Sequence, residues 1–225
     1  ENLTILNSLY DNYLYSEWKE VKVLWLGFMS PYNLHTTTKP VSKLEDFRSL
    51  KLQASGLVAE LVKTWRGTPT TLIKPGKSVS RQDIADTQYA ALKNGTIDGI
   101  MSTFELMKDF KLHEVTKYHT YLNTVRDVNA TIMNLETWNS LPRDIQNIFN
   151  SLNPWAQKEL DAAQKAESEE AHVLLKQRGH IMLELSPEER LRWIEAARPL
   201  IEETISILES QGIKAKEIAQ ELSKY

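Results

Sequence analysis

The sequence contains no cysteine, which excludes disulfides, thiolate metal sites and cysteine nucleophiles. It has no apolar run near the roughly 20 residues that a membrane-spanning helix needs. Its opening stretch, ENLTILNSLYDNYL, lacks a basic region followed by an apolar core, so the chain reads as soluble or already processed. An excess of positive charge is missing as well. With 27 basic and 30 acidic residues interspersed, the net charge is −3, which gives no electrostatic footprint for phosphate backbones or anionic lipid and no expected nucleic-acid partner. GxGxxG, GxSxG and HExxH motifs are absent, and Gly76-Lys77-Ser78 carries the last letters of a phosphate loop without its glycine-rich cradle, so it reads as an ordinary loop. His35, His113, His119, His172 and His180 show no paired spacing within one element. They read as structural or solvated, and no metal or cofactor is expected. Glu167, Glu169 and Glu170 in the run AESEE read as a solvated helix face.

What is present is enough apolar material for a core: 41% of 225 residues, one large domain or two small ones. Val21, Val23, Leu24, Trp25 and Leu26 predict a strand ending near Gly27. A polar connection, SPYNLHTTTKPVSKLED, follows, with Pro31 and Pro40 as breakers. Leu50-Lys51-Leu52-Gln53 then reads as a short strand. Leu57, Val58, Leu61, Val62 and Trp65 recur at helical spacing up to Gly67, and Thr68 to Ile73 is extended again, which makes a β-α-β unit. KPGKSVSRQD is a polar loop, and IADTQYAALKNG a helix with Gly95 in the stop position. TIDGIMSTFELMKDF reads strand, turn, helix, Ala130 to Met133 another strand, and ETWNSLPRDI a capped segment. Ile145, Ile148, Phe149 and Leu152 keep period 3.6, and an amphipathic helix is expected from Pro154 to about Lys176. Ser186, Pro187 and Glu189 predict the N-cap, N1 and N3 of a final helix with a capping box. Trp25, Trp65, Trp138, Trp155 and Trp193 fall on apolar stripes and are expected in the core, whereas Trp18 is ambiguous.

Asn33, Gln53, Ser102 and Arg126 are polar residues at ends of predicted strands. In an open α/β sheet such ends converge on one crevice; the plain alternative is surface loops.

Taken in order, LHTTTKPVSKLEDFRSLKLQASG, GTPTTL, YAALKNGTIDG, FKLHEVTKYHT, MNLETWNSLPRDIQNIF and LSPEERLRWIEAARPLI resemble the substrate-binding proteins of tripartite ATP-independent periplasmic (TRAP) transporters, from about Glu17 to the C-terminus. The resemblance implies an α/β, two-lobed periplasmic-binding-protein-like fold with a long lobe-spanning helix and no catalysis. Residues 31–151 and 187–225 would form the C-terminal lobe, and 1–30 with 152–186 the remnant of the N-terminal lobe and the spanning helix. It further implies a periplasmic receptor for a small organic solute, usually an acid, that works with membrane subunits driven by a sodium gradient.

Three features depart from the family. Little precedes the EWKEVKVLWL strand, so the N-terminal lobe is expected to be largely absent and self-association is a way to replace it. KPGKSVSRQDIAD is longer than the usual connection and is expected to project. Gln53 stands where the resemblance leads one to expect arginine holding a carboxylate through two hydrogen bonds; a glutamine amide is neutral and presents an acceptor as well as donors. Arg126 either takes over the anionic contact or sits in a surface ion pair; otherwise the solute is less acidic and meets Gln53. By the same carry-over Asn33, Ser102 and Phe104 fall near the cleft, Glu105 is placed to contact an amine, and Lys74 is a weaker candidate. For each, a loop role stands beside the binding role. The competing readings are a helical interaction module on an α/β platform, marked by a large exposed apolar patch, and an enzyme with Glu105 as its one candidate group.

Overall fold

A computed structural model describes residues 2–73 and 78–223. The chain opens with α1 (Asn2–Leu9), a π-helical turn (Tyr10–Leu14) and a 3-10 turn (Tyr15–Trp18), followed by β1 (Val21–Phe28), β2 (Asn33–Thr36), α2 (Leu44–Phe47), β3 (Lys51–Gln53), α3 (Gly56–Thr64) and β4 (Thr68–Thr70). Then come α4 (Arg81–Lys93), β5 (Gly99–Ser102), α5 (Phe104–Asp109), β6 (Tyr118–Tyr121), β7 (Val128–Asn134), α6 (Leu135–Ser140), α7 (Arg143–Gln177), β8 (Ile181–Glu184), α8 (Pro187–Ser210) and α9 (Ala215–Leu222).

Two compact units result. One holds Glu1–Met29, Arg126–Ala166 and Thr204–Tyr225; the other holds Ser30–Val125 and Glu167–Glu203. These boundaries differ from the expected division, because β1 pairs with β7 in an antiparallel ribbon running from Val21↔Asn134 to Phe28↔Val128. That pairing groups 126–151 with the N-terminal segment.

The second unit carries a six-stranded sheet in the order β4-β3-β5-β2-β6-β8. Only β2 runs against its neighbours. Alternation along β5 sends Ile100 and Met101 to opposite faces, and they belong to separate cores. One core packs Met101, Leu34 and Leu52 against Val58, Leu61 and Val62 of α3 and Trp193 and Ala197 of α8. The other packs Ile100 against Ala91 and Leu92 of α4, Met107 of α5 and Ala171 and Leu175 of α7. Gly99 is required where β5 meets β2, since a Cβ there would collide with the carbonyl oxygen of His35.

The apolar runs of β1, β3, β5 and β7 form strands as expected, and the β3-α3-β4 unit is present with parallel pairing. Several expectations are corrected. The polar connection after β1 contains a fully buried strand, β2. β6 and β8 were not anticipated either. α7 starts at Arg143, so Pro154 lies inside a continuous helix, where it removes one backbone donor toward Asn150. Trp155 is 59% exposed rather than in the core, whereas Trp65, Trp138 and Trp193 are buried. The Gly76-Lys77 motif, Lys74 and much of the expected projecting loop lie outside the described residues, and Arg81–Asp83 form the first turn of α4.

Helix ends follow local chemistry. Ser80 Oγ accepts from the Asp83 N–H at 3.1 Å while the Asp83 carboxylate accepts from the Ser80 N–H at 3.1 Å, closing a capping box. Ser80→Ala should lower stability by about 1 kcal/mol in urea denaturation, the usual worth of such a cap. At α8, Ser186 Oγ accepts from the Glu189 N–H at 3.2 Å as predicted. The Glu189 side chain, however, does not complete the box: Oε1 accepts from the Leu44 N–H at 2.6 Å and from Trp193 Nε1 at 3.0 Å. It ties α8 to α2 instead.

Candidate functional site

Right-handed crossovers explain where a site falls in the six-stranded sheet. The chain leaves β3 through α3 toward β4 on one side, then returns through α4, on the other face, to β5 on the opposite side of β3. The strand order therefore reverses between the C-terminal ends of β3 and β5, which is where open α/β sheets leave a ligand crevice. Gln53 is the last residue of β3 and Ser102 the last of β5. Asn33, the first residue of antiparallel β2, pairs directly with Ser102. Glu105 follows one turn later in α5. Four of the residues expected from the sequence thus gather at one edge of one sheet.

Their environments differ. Asn33 is buried and its amide is occupied by backbone, with Nδ2 donating to Pro31 O at 3.0 Å and Oδ1 accepting from the Asn123 N–H at 3.0 Å. It braces the loop after β6, where Asn123 has φ +48°. Ser102 is buried, and its carbonyl oxygen faces His35 Nε2 at 3.2 Å. Gln53 is half-buried, with Oε1 out of reach of solvent and without a hydrogen-bond partner. Glu105 is 8% exposed; Oε1 accepts from Ser30 Oγ at 2.5 Å, and Oε2 is buried without a partner. Phe104 belongs to the interior: its ring packs 4.1 Å from His172 and 5.2 Å from Tyr121, centroid to centroid, and 4.9 Å from His35.

Arg126 lies in the other unit. Its Nε donates to Met29 O at 2.9 Å and its guanidinium stands 5.1 Å over the Phe28 ring. With Gly27, Phe28, Gln157, Leu160, Asp161 and Gln164 it lines a recess of that unit. Among the described residues no carboxylate forms an ion pair with it, so the surface ion-pair alternative is not realised there.

A row of histidines escaped the sequence. His35 on β2 and His119 on β6 face each other in register, Nδ1 to Nδ1 at 2.7 Å, and His119 Nε2 meets His180 Nδ1 at 2.8 Å. The Ser102 carbonyl can only accept, so His35 Nε2 carries a proton. Neutral His35 then accepts at Nδ1 from His119 Nδ1–H, and neutral His119 accepts at Nε2 from His180 Nδ1–H. One tautomer of each ring satisfies the whole row. Burial holds His35 at about 3, with the Ser102 carbonyl acting in the opposite direction. Burial and then the neighbouring His35, His180 and His172 hold His119 at about 2. His180 is lowered by burial and by Lys117. Among the described residues no group of three or more His, Cys, Asp or Glu side chains is arranged to hold a metal ion.

The fold and this sheet edge define a periplasmic-binding-protein-like α/β class. The model of the bacterial extracellular solute-binding proteins, family 7, matches residues 4–207, and the chain belongs to that family. It is 29% identical over 132 residues to the C4-dicarboxylate-binding periplasmic protein DctP of Rhodobacter capsulatus, an alignment covering 58% of this chain and 40% of that one. Among solved structures, it is similar to a TRAP periplasmic solute-binding protein from Desulfovibrio salexigens, at 27% identity and TM-score 0.78, covering 98% of this chain and 66% of the other. A TRAP solute-binding protein from Rhodoferax ferrireducens, in complex with copurified benzoate, shares the fold at 18% identity and TM-score 0.83, over 97% and 67% of the two chains. The chain spans under half the length of the curated relatives it matches. No helix among the described residues is long and apolar enough to cross a membrane.

Proposed function

We propose that this chain serves as part of a periplasmic receptor that captures a small organic acid or related polar solute for the membrane subunits of a sodium-driven TRAP transporter. The observation that carries this reading is the switch point of the six-stranded sheet, where Gln53 and Ser102 end adjacent parallel strands beside Asn33 and Glu105. Membership of a solute-binding family supports it, as do the dicarboxylate and benzoate ligands of the relatives. In this reading the role is recognition without chemistry, and the unit with the six-stranded sheet corresponds to the C-terminal lobe of the family.

Arg126, which lines its own recess in the other unit, is an anion-binding group in this reading, since its guanidinium has hydrogen-bonding capacity beyond Met29 O and no ion pair among the described residues. A thermal-shift screen over organic, aromatic and amino acids, with sedimentation run alongside to detect self-association, tests the proposal. Arg126→Ala should weaken the best solute about 10- to 100-fold by calorimetry, the worth of one charged hydrogen-bonding contact. Unchanged affinity would remove Arg126 from the site, while absence of any shift across the screen would sink the receptor reading.

A further inference from the structure

Among the described residues, four buried side-chain atoms lack a hydrogen-bond partner, and two of them, Gln53 Oε1 and Glu105 Oε2, belong to the switch-point edge. Both are acceptors. Glu105 is the costlier case: the residue is 8% exposed, a single hydroxyl donates to it, and no lysine, arginine or histidine reaches it within ion-pair distance among the described residues. A buried carboxylate oxygen with no donor beside it is uncommon in a folded protein, so this atom marks a place where a donor can arrive with a ligand.

The chemistry of that partner follows from what the edge lacks. A carboxylate brought here would set its own oxygens, which only accept, against Glu105 Oε2, another acceptor with no donor beside it. A hard divalent cation needs six or more oxygen ligands, or several with retained water, and the described residues show no such cluster. An alkylammonium group brings three N–H donors, no acceptor and a positive charge, which suits Glu105 Oε2 through a charge-assisted bond and leaves further donors for other acceptors of the edge such as Gln53 Oε1.

We infer that the edge formed by Gln53 and Glu105 binds an ammonium group, so that the solute is an amino-bearing organic acid rather than a plain carboxylic acid. This rests on the receptor reading and narrows its substrate class. Ser30 orients the carboxylate through Oε1 and leaves Oε2 for the solute.

Matched pairs of solutes test it on the full chain by calorimetry at pH 7: 4-aminobutyrate against butyrate, β-alanine against propionate, and 4-(aminomethyl)benzoate against benzoate. The amino member of at least one pair should bind at least ten-fold more tightly than its parent, and Glu105→Gln should abolish that preference. A urea titration of solute-free Glu105→Gln checks that the variant is folded, a readout independent of binding. Parents that bind as tightly as their amino counterparts, or a preference that survives Glu105→Gln, would overturn the inference while leaving the receptor standing. If neither these pairs nor any solute in the wider screen binds, the receptor reading falls and takes the inference with it.

Discussion

Between pH 7 and pH 5 the protein should lose about 2 to 4 kcal/mol of stability, with the loss concentrated in the histidine row. His35 and His119 are buried and neutral, held at about 3 and about 2, whereas both titrate near 6.5 in the unfolded chain. Their folded values are depressed, so the unfolded state binds more protons at every pH between those limits, and stability falls as pH drops below 6.5. Each group well inside that window contributes about 1.4 kcal/mol per pH unit. The loss is large against a total of roughly 5 to 15 kcal/mol for a protein of this kind. Urea titrations at pH 7.5, 6 and 5 measure it. A double variant, His35→Leu with His119→Leu, should show a clearly flatter dependence, and equal slopes for the two proteins would remove the row as the cause.

The same row has no signature in the sequence. His35 and His119 lie 84 positions apart and meet only through the register of β2 with β6. Both strands are four residues long, NLHT and YHTY, and carry polar residues throughout. Periodicity cannot mark such strands, because they are buried by their place inside the sheet and not by their own composition. The apolar runs of β1, β3, β5 and β7 advertise themselves, and with them come the strand ends where Gln53 and Ser102 sit. Glu105 was legible as a residue near that edge. Its missing donor was not, since hydrogen-bond satisfaction is a property of the packed state. Phe104 is carried near the cleft by the resemblance together with its neighbours; it opens α5, and its ring packs in the core among His35, His172 and Tyr121. Trp155 fell on a helical stripe, yet that part of α7 leaves it open to solvent.

Trp193→Ala should cost about 3 to 5 kcal/mol, the range for truncating a large buried aromatic side chain. The ring is 3% exposed and meets Trp65 edge-on at 4.7 Å and Phe47 at 5.2 Å, centroid to centroid. Trp65 in turn meets Phe47 at 5.5 Å. The three rings join α8, the end of α3 and α2, so alanine would leave a cavity lined by two rings that cannot both close over it. The substitution also withdraws the Nε1 donor from Glu189 Oε1, which keeps the Leu44 N–H. The hydrogen bond from Trp65 Nε1 goes to the backbone carbonyl of residue 193 at 3.1 Å and does not depend on the side chain. Trp193→Phe should therefore recover much of the loss in urea denaturation. Trp155→Ala, at an exposed position on α7, should change stability by no more than about 0.5 kcal/mol. The consequence reaches the site, because α3 is the segment through which the chain leaves Gln53, and the aromatic trio ties the far end of that helix to α8 and α2. A Trp193→Ala protein that remains folded at neutral pH should bind its solute more weakly. Trp193→Phe should restore affinity and stability together; recovery of stability alone would show that the trio holds the core without holding the strand end.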